Sequence, residues 1–328
     1  AGWSAVAAET TAVDSADVFL LYEEVEGPLL DLYLSGVKGA SSFKITAQHD
    51  PVSRQDLEWL VSCRTEDIEV EAGRLFPSLS QTTLDWAVGH GARASARFGR
   101  ATTELVGIRM AEADTLAGFG IYSRFAAAVR QGVDWSDQLN TSLVYLSVFD
   151  REGSIPDDQQ FSNPLRNSVV AGLVRAARGA FTGELELARS EVTGETEGRG
   201  TAVRAGLRLE RDWYNRVSLE YVASEPDYHS AGSFEHDPGE HSVELSYAFR
   251  RGERFSSSGW LRTGRSFAPA SLLADDEFEF KAYSRVTVEW PDLGAGARTY
   301  AMARYDFVPY KTHDYTSVSY THLRAHET

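Results

Sequence analysis

Residues 276–290 read Asp276-Glu277-Phe278-Glu279-Phe280-Lys281-Ala282-Tyr283-Ser284-Arg285-Val286-Thr287-Val288-Glu289-Trp290. The even positions (Phe278, Phe280, Ala282, Ser284, Val286, Val288, Trp290) are mostly apolar, and the odd ones carry Glu277, Glu279, Lys281, Arg285 and Glu289. Successive side chains of a strand point to opposite faces, so the spacing predicts one strand with a greasy face and a charged face. It runs for about 14 residues, where an ordinary strand has about 5 or 6. A continuous apolar face of that length must lie against a second sheet or against lipid.

The same two-residue period recurs on both sides of this stretch. Toward the N-terminus, Val243, Leu245, Tyr247 and Phe249 alternate with Ser242, Glu244, Ser246 and Arg250. Val217, Leu219 and Tyr221 alternate with Arg216, Ser218 and Glu220, and Val203, Ala205, Leu207 and Leu209 with Arg204, Arg208 and Glu210. Phe181, Leu185 and Leu187 oppose Thr182, Glu184 and Glu186. Toward the C-terminus, Ala301, Ala303, Tyr305 and Phe307 oppose Arg298, Arg304 and Asp306. Weaker alternation runs through 30–35, 43–48, 57–64, 68–72 and 92–98. It is least clean over 102–150, where Phe119, Ile121 and Phe125 share one face and Leu143, Tyr145 and Phe149 another. No segment sustains a helical period, so the chain is all-β. About 17 strands are expected, mostly of about 9–14 residues, which is the length a tilted membrane strand needs.

Connections supply a second signal. Those near 38–41, 65–67, 100–101, 177–179, 213–215, 251–254 and 291–296 are short. Those near 50–55, 76–90, 151–166, 191–198, 225–240 and 266–276 are longer. Short and long alternate, as in an up-and-down meander with tight turns at one rim and long loops at the other. The order is reversed near 112–115 and 129–138, and 26–28 is short for its rim.

Composition narrows the function classes. The chain has 328 residues, a net charge of −16 and 42% hydrophobic residues. An acidic chain is a poor partner for a phosphate backbone, so no nucleic acid is expected. No apolar run reaches the roughly 20 residues of a spanning helix, a test that a barrel of strands escapes. The single cysteine, Cys63, reads as a small strand residue.

With the long strands, their charged polar faces and the aromatics at strand ends (Trp213, Tyr214, Trp290, Phe307, Tyr310), residues 17–317 resemble a Gram-negative outer-membrane β-barrel of the porin-like kind, with no subfamily identified. Gly73 to Leu84 is similar to a loop of large barrels. The resemblance implies a large antiparallel up-and-down transmembrane barrel of about 16–18 strands. Its partners would be outer-membrane lipid and small hydrophilic solutes, and it would need no cofactor. Residues 1–16 read as a loose lead-in. Residues 318–328, Val318 to Thr328, resemble one reading frame of a sequencing-library adapter, which implies an artefactual tail on a metagenomic fragment cut short at its C-terminal end. Closure of the barrel would then depend on residues beyond Ser317.

In that reading Glu184, Arg204, Arg208, Glu220, Glu244, Glu279, Lys281, Arg285, Glu289 and Arg304 line a hydrophilic lumen. Leu207, Leu209, Val243, Leu245, Tyr247, Phe249, Phe278, Phe280, Val286 and Val288 face lipid. With both termini periplasmic, 276–290 is about the sixteenth strand. The longest stretch without alternation in the first half, with Phe76, Leu79, Trp86 and His90, is the candidate constriction loop. The function expected is passive diffusion of small hydrophilic solutes. A closed-lumen interaction barrel with acidic loops is one alternative. An outer-membrane hydrolase built on His49, Asp50 or His90 is another. The three histidines of the 228–241 loop (His229, His236, His241) match no metal-ligand spacing, and Asp237-Pro238-Gly239 marks a turn.

Overall fold

The computed structural model describes residues 15–24, 28–49, 58–85, 87–111, 122–155, 163–194, 197–212, 214–233, 239–252, 255–266, 277–290 and 297–307, with side chains from 33 to 264 except 48 and 49. Among the described residues the regular structure is strand alone. The first strands are β1 (Ser15–Glu24), β2 (Pro28–Lys38), β3 (Ser41–His49), β4 (Glu58–Arg64), β5 (Ile68–Leu75) and β6 (Gly89–Phe98). Next come β7 (Ala101–Ala111), β8 (Arg124–Ser136), β9 (Leu139–Asp150), β10 (Arg166–Arg178), β11 (Phe181–Thr193) and β12 (Gly198–Asp212). The last are β13 (Asn215–Ser224), β14 (Glu240–Arg251), β15 (Phe255–Ser266), β16 (Glu277–Trp290) and β17 (Ala297–Phe307).

Each strand pairs antiparallel with the next in sequence, from β1 to β17. The result is one continuous meander, and no ladder joins β17 to β1 among the described residues. The opening stretch of the sequence is β16, the sixteenth strand. β1 begins at Ser15, inside the expected lead-in. Residues 308–328, with the adapter-like tail, lie outside the described residues.

The rim pattern is more regular than the sequence suggested. β8 and β9 are joined by Asp137 and Gln138 alone, while β7 and β8 are separated by residues 112–123. Short and long connections therefore alternate through the middle of the chain, and the reversal expected there does not occur. The misreading has a physical source: β8 begins Arg124-Phe125-Ala126-Ala127-Ala128, where alanines on both faces erase the two-residue signal. At the short rim Gly99 and Gly179 take φ of 62° and 60°, a left-handed turn conformation that side-chain-bearing residues adopt at a cost.

The two faces of the sheet differ. On one, Leu143, Leu187, Leu207, Leu219, Leu245 and Phe249 are all exposed, with Leu207 at 64%. On the other face of β7 to β12, Val106, Ala128, Val144, Leu146, Val148, Val169 and Ala171 are buried. They form one cluster with Leu75 at the end of β5 and with Leu79, Leu84 and Tyr228, which come from two connecting segments, so part of this face is roofed by loops. The poor alternation of β9 follows. Its outer positions are Leu143, Tyr145 and Phe149, and its inner ones Val144, Leu146 and Val148, which are apolar because a loop covers them.

Candidate functional site

The roof begins where β5 stops. Pro77 lacks an N–H and cannot extend a ladder, so the chain leaves the sheet after Leu75. Residues 77–85 then lie over the inner face. Leu79 N–H donates to Leu84 O at 2.8 Å and Thr83 N–H to Ser80 O at 3.3 Å, closing a compact turn. Ser78 Oγ donates to Asp85 Oδ1 at 2.5 Å. Leu84, Thr82 and Thr83 are fully buried. Burying two leucines, Leu79 and Leu84, contributes about 1.5–3 kcal/mol each before entropy is charged against it.

The wall receives this loop through one carboxylate. Glu186 on β11 is fully buried, and its Oε1 accepts the Thr82 N–H at 3.1 Å together with the Thr82 hydroxyl. A second segment, residues 225–233 after β13, straps the same loop from the other side. Tyr228 Oη donates to Thr82 O at 2.5 Å, Ser230 Oγ to Thr83 O at 2.6 Å and Ser233 Oγ to Gln81 O at 2.7 Å. Asp85 N–H donates to Gly232 O at 3.0 Å. A Cβ at Gly232 would meet Thr83 O and Leu146 Cδ2, each at 2.8 Å, so only glycine fits this crossing. Burial pushes the Tyr228 phenol well above the usual tyrosine range, so it remains a donor. Asn167 on β10 fixes the strap to the wall, with Nδ2 donating to His229 O at 3.0 Å and Oδ1 accepting from Ala231 N–H at 2.9 Å.

Beneath the roof, toward the short rim, lies a cavity of about 920 Å³. Its lining includes Gln81 from the loop and Arg130, Ser142, Arg175, Glu184 and Glu186 from the wall. The wall around it is a charge lattice. Arg204 donates Nη1 to Glu184 Oε1 and Nε to Glu220 Oε1, both at 2.7 Å. Arg93 likewise spans Glu104 at 2.6 Å and Glu71 at 3.3 Å. Arg97 pairs with Asp134 at 2.9 Å, and Arg262 pairs with Glu240. Arg130 stands across the ladder from Glu104 and Arg175 from Glu184.

The register places the expected residues as follows. Glu186↔Arg204, Glu184↔Gly206, Gly206↔Glu220, Arg208↔Ser218 and Glu220↔Glu244 put Glu184, Arg204, Arg208, Glu220 and Glu244 on the roofed face. Leu207, Leu209, Val243, Leu245 and Phe249 are exposed on the opposite face, with Tyr247 half-buried beside them. Lys281 pairs with Arg262 and Asp306, Arg285 with Ser258, Glu279 with Gly264, Glu289 with Arg298 and Arg304 with Tyr283. Phe278, Phe280, Val286 and Val288 pair with Arg265, Thr263, Ser257 and Phe255. The side chains of all these β16 and β17 residues lie outside the described residues.

Of the constriction candidates, Leu79 is buried in the roof, while Phe76 is 60% exposed with the Arg74 guanidinium 5.4 Å from its ring centroid. Trp86 lies outside the described residues. His90 is not in the loop: it stands in β6, paired with Arg74 and Arg109. Gly89 and Gly91 flank it and carry no side chain, which hid the start of that strand from a reading of alternation. His49 is on β3 and His90 on β6, so the hydrolase candidates are not brought together; Asp50 lies outside the described residues. His229 belongs to the strap and His241 to β14, while His236 lies outside the described residues. Sequence reading missed Arg130, Ser142, Asn167, Arg175 and Tyr228 altogether. Nothing local marks them, since their importance comes from which loop lands on them.

No protein-family model matches the chain, and no curated protein matches it. Solved structures do. Pseudomonas aeruginosa OccK5 (OpdH) superposes with a TM-score of 0.55 at 13% identity, covering 91% of this chain and 94% of that one. Pseudomonas aeruginosa OccK2 (OpdF), solved in complex with glucuronate, gives 0.53 at 13% identity over 90% and 92%. A BenF-like porin from Pseudomonas fluorescens Pf-5 gives 0.50 at 10% identity over 89% and 94%. These likenesses establish the fold: the chain has the large antiparallel barrel architecture of outer-membrane porins.

Proposed function

We propose that this chain is an outer-membrane channel of the porin kind, through which small hydrophilic solutes diffuse passively. The observation that carries the reading is the cavity of about 920 Å³ between the pinned loop 76–88 and a wall of charged side chains. A packed sandwich has no place for such a wall, because buried unpaired charge is expensive, whereas a water-filled bore tolerates it. The opposite face, with its belt of exposed leucines, is the surface that lipid covers; in water so large an apolar area is a liability. The residues on the roofed face (Glu184, Arg204, Arg208, Glu220 and Glu244) line the bore, and Leu207, Leu209, Val243, Leu245, Tyr247 and Phe249 meet lipid. Glu279, Lys281, Arg285, Glu289 and Arg304 continue the bore, and Phe278, Phe280, Val286 and Val288 the lipid face.

Arg130 and Arg175 line the cavity together with Asp134, Asp137, Glu184 and Glu186, so the wall carries both signs and discriminates by charge locally. The glucuronate held by one structural neighbour is a small hydrophilic anion and fits the same reading. A closed-lumen interaction barrel is the competing account, and the Glu184–Arg204–Glu220 lattice is the feature that favours it. Liposome swelling separates the two. Vesicles holding the protein should swell in isotonic solutions of small sugars and small carboxylates, and a protein that leaves them tight is not a diffusion pore.

A further inference from the structure

A second cavity, of about 590 Å³, opens on the belt face near the short rim. Its floor lies where two neighbouring strands lack bulk. Ala176 of β10 pairs with Gly183 of β11, and the row continues to Leu139 on one side and Leu207 on the other. Toward the rim, Phe181 follows on β11 and Arg178 on β10, the latter about 7 Å beyond Ala176 on the same face. Arg178 is exposed.

Nothing in the fold asks for glycine at 183. Its φ is not left-handed, and a Cβ there would meet only Leu207 Cδ2, at the ordinary contact distance of 3.5 Å. Glycine weakens a strand interior, and in a strand it often marks close approach by a ligand. Arg178 and Arg208 are the charged residues of the lining, and no carboxylate borders the groove. Arg208 pairs with Thr182 on the roofed face, so Arg178 is the groove's charge. Asp137, in the neighbouring turn, lines the cavity on the roofed face. Exposed aromatics mark the level in the membrane: Phe98, Trp135, Phe181 and Tyr214 all flank short connections. Such a girdle sits at the membrane–water interface, and short turns are periplasmic, where the leaflet is phospholipid.

We propose that this groove binds one glycerophospholipid, with its phosphate on Arg178 and an acyl chain laid over Ala176 and Gly183 between Leu139, Phe181 and Leu207. A guanidinium meets a phosphate through two parallel N–H bonds. A headgroup that adds an ammonium finds no carboxylate in the groove to answer it, so phosphatidylglycerol is favoured over phosphatidylethanolamine. Such a site needs the membrane barrel and not an open bore, so it stands apart from the pore reading.

Native mass spectrometry tests it on the full chain, released from detergent after incubation with equal amounts of phosphatidylglycerol and phosphatidylethanolamine. The wild type should retain one phosphatidylglycerol. Arg178→Ala should cut the retained fraction about tenfold, the worth of one hydrogen bond to a charged group. Gly183→Leu fills the trough and should do the same. Two further variants should leave retention unchanged. Gly172→Leu adds the same side chain to the belt face outside the groove, where a Cβ meets nothing within 4 Å. Arg189→Ala removes an exposed arginine of that face, paired with Val170. The proposal is overturned by a wild type that retains the two lipids equally or retains neither. Retention that survives Arg178→Ala or Gly183→Leu, or that falls as far in Gly172→Leu and Arg189→Ala, overturns it too. Bilayer current on the same preparation separates the readings: retention without current removes the pore and leaves this site, and current without retention removes this site alone.

Discussion

Thr82 gives both its backbone N–H and its hydroxyl to a single oxygen, Oε1 of Glu186, across 104 residues of sequence. This pair joins the loop after β5 to the wall strand β11, and in the proposed channel it would set where the bore narrows. A fully buried carboxylate holding two donors is a strong and direction-specific anchor.

Removing the anchor should loosen the loop. Glu186→Ala leaves the Thr82 N–H buried without a partner, which costs about 1–3 kcal/mol. Single-channel records of this variant should be noisier than wild type, with larger mean steps. Tyr228→Phe deletes only the strap's bond to Thr82 O and should give a smaller change in the same direction, about 1 kcal/mol. Hydrogen exchange at residues 79–85 ranks the two.

The crossing of loop and strap leaves no room for a methyl group at Gly232, where an added Cβ would lie 2.8 Å from Thr83 O. Gly232→Ala should therefore separate the two segments without unfolding the sheet. Limited proteolysis should cut residues 76–88 faster, while circular dichroism keeps its strand signal.

Charge selectivity should follow Arg130 and Arg175. A unit charge about 8 Å from a passing ion in water is worth about 0.5 kcal/mol, or roughly twofold in permeability. Arg130→Ala and Arg175→Ala should each lower the chloride-to-potassium permeability ratio by about that factor. The double variant should approach fourfold, read from reversal potentials in a salt gradient. The effect should shrink at high ionic strength, where screening shortens the reach of each arginine.

Adjacent residues of β12 distinguish the faces of the sheet. Leu207 is 64% exposed on the belt face, and Arg208 lies on the roofed one. Leu207→Arg should cost about 2–4 kcal/mol if the site lies near the bilayer midplane, whereas Arg208→Leu should cost little. Reversible unfolding from lipid vesicles measures both.

Much of this architecture was written in two-residue periods. β12, β14 and β16 could be placed from Val203–Leu209, Val243–Phe249 and Phe278–Val288, because one side of each strand meets an apolar surround and the other does not. The signal failed where a second surface intervened. In β9, Val144, Leu146 and Val148 are apolar on the inner face because Leu84 and Tyr228 cover them, and a residue pattern cannot announce a cover that comes from elsewhere in the chain. The loop itself was legible as an interruption, through Pro77 and the loss of alternation. Its destination was not: Glu186 looks like any other glutamate on an alternating strand until Thr82 is set against it.

The most direct test of the account is the single-channel conductance of wild-type protein beside a variant in which residues 79–85 are replaced by a short Gly-Ser link. If loop 76–88 narrows an open bore, wild type gives discrete ohmic steps and the variant gives larger ones with weaker solute discrimination. No steps from either protein, or steps of equal size from both, would contradict it.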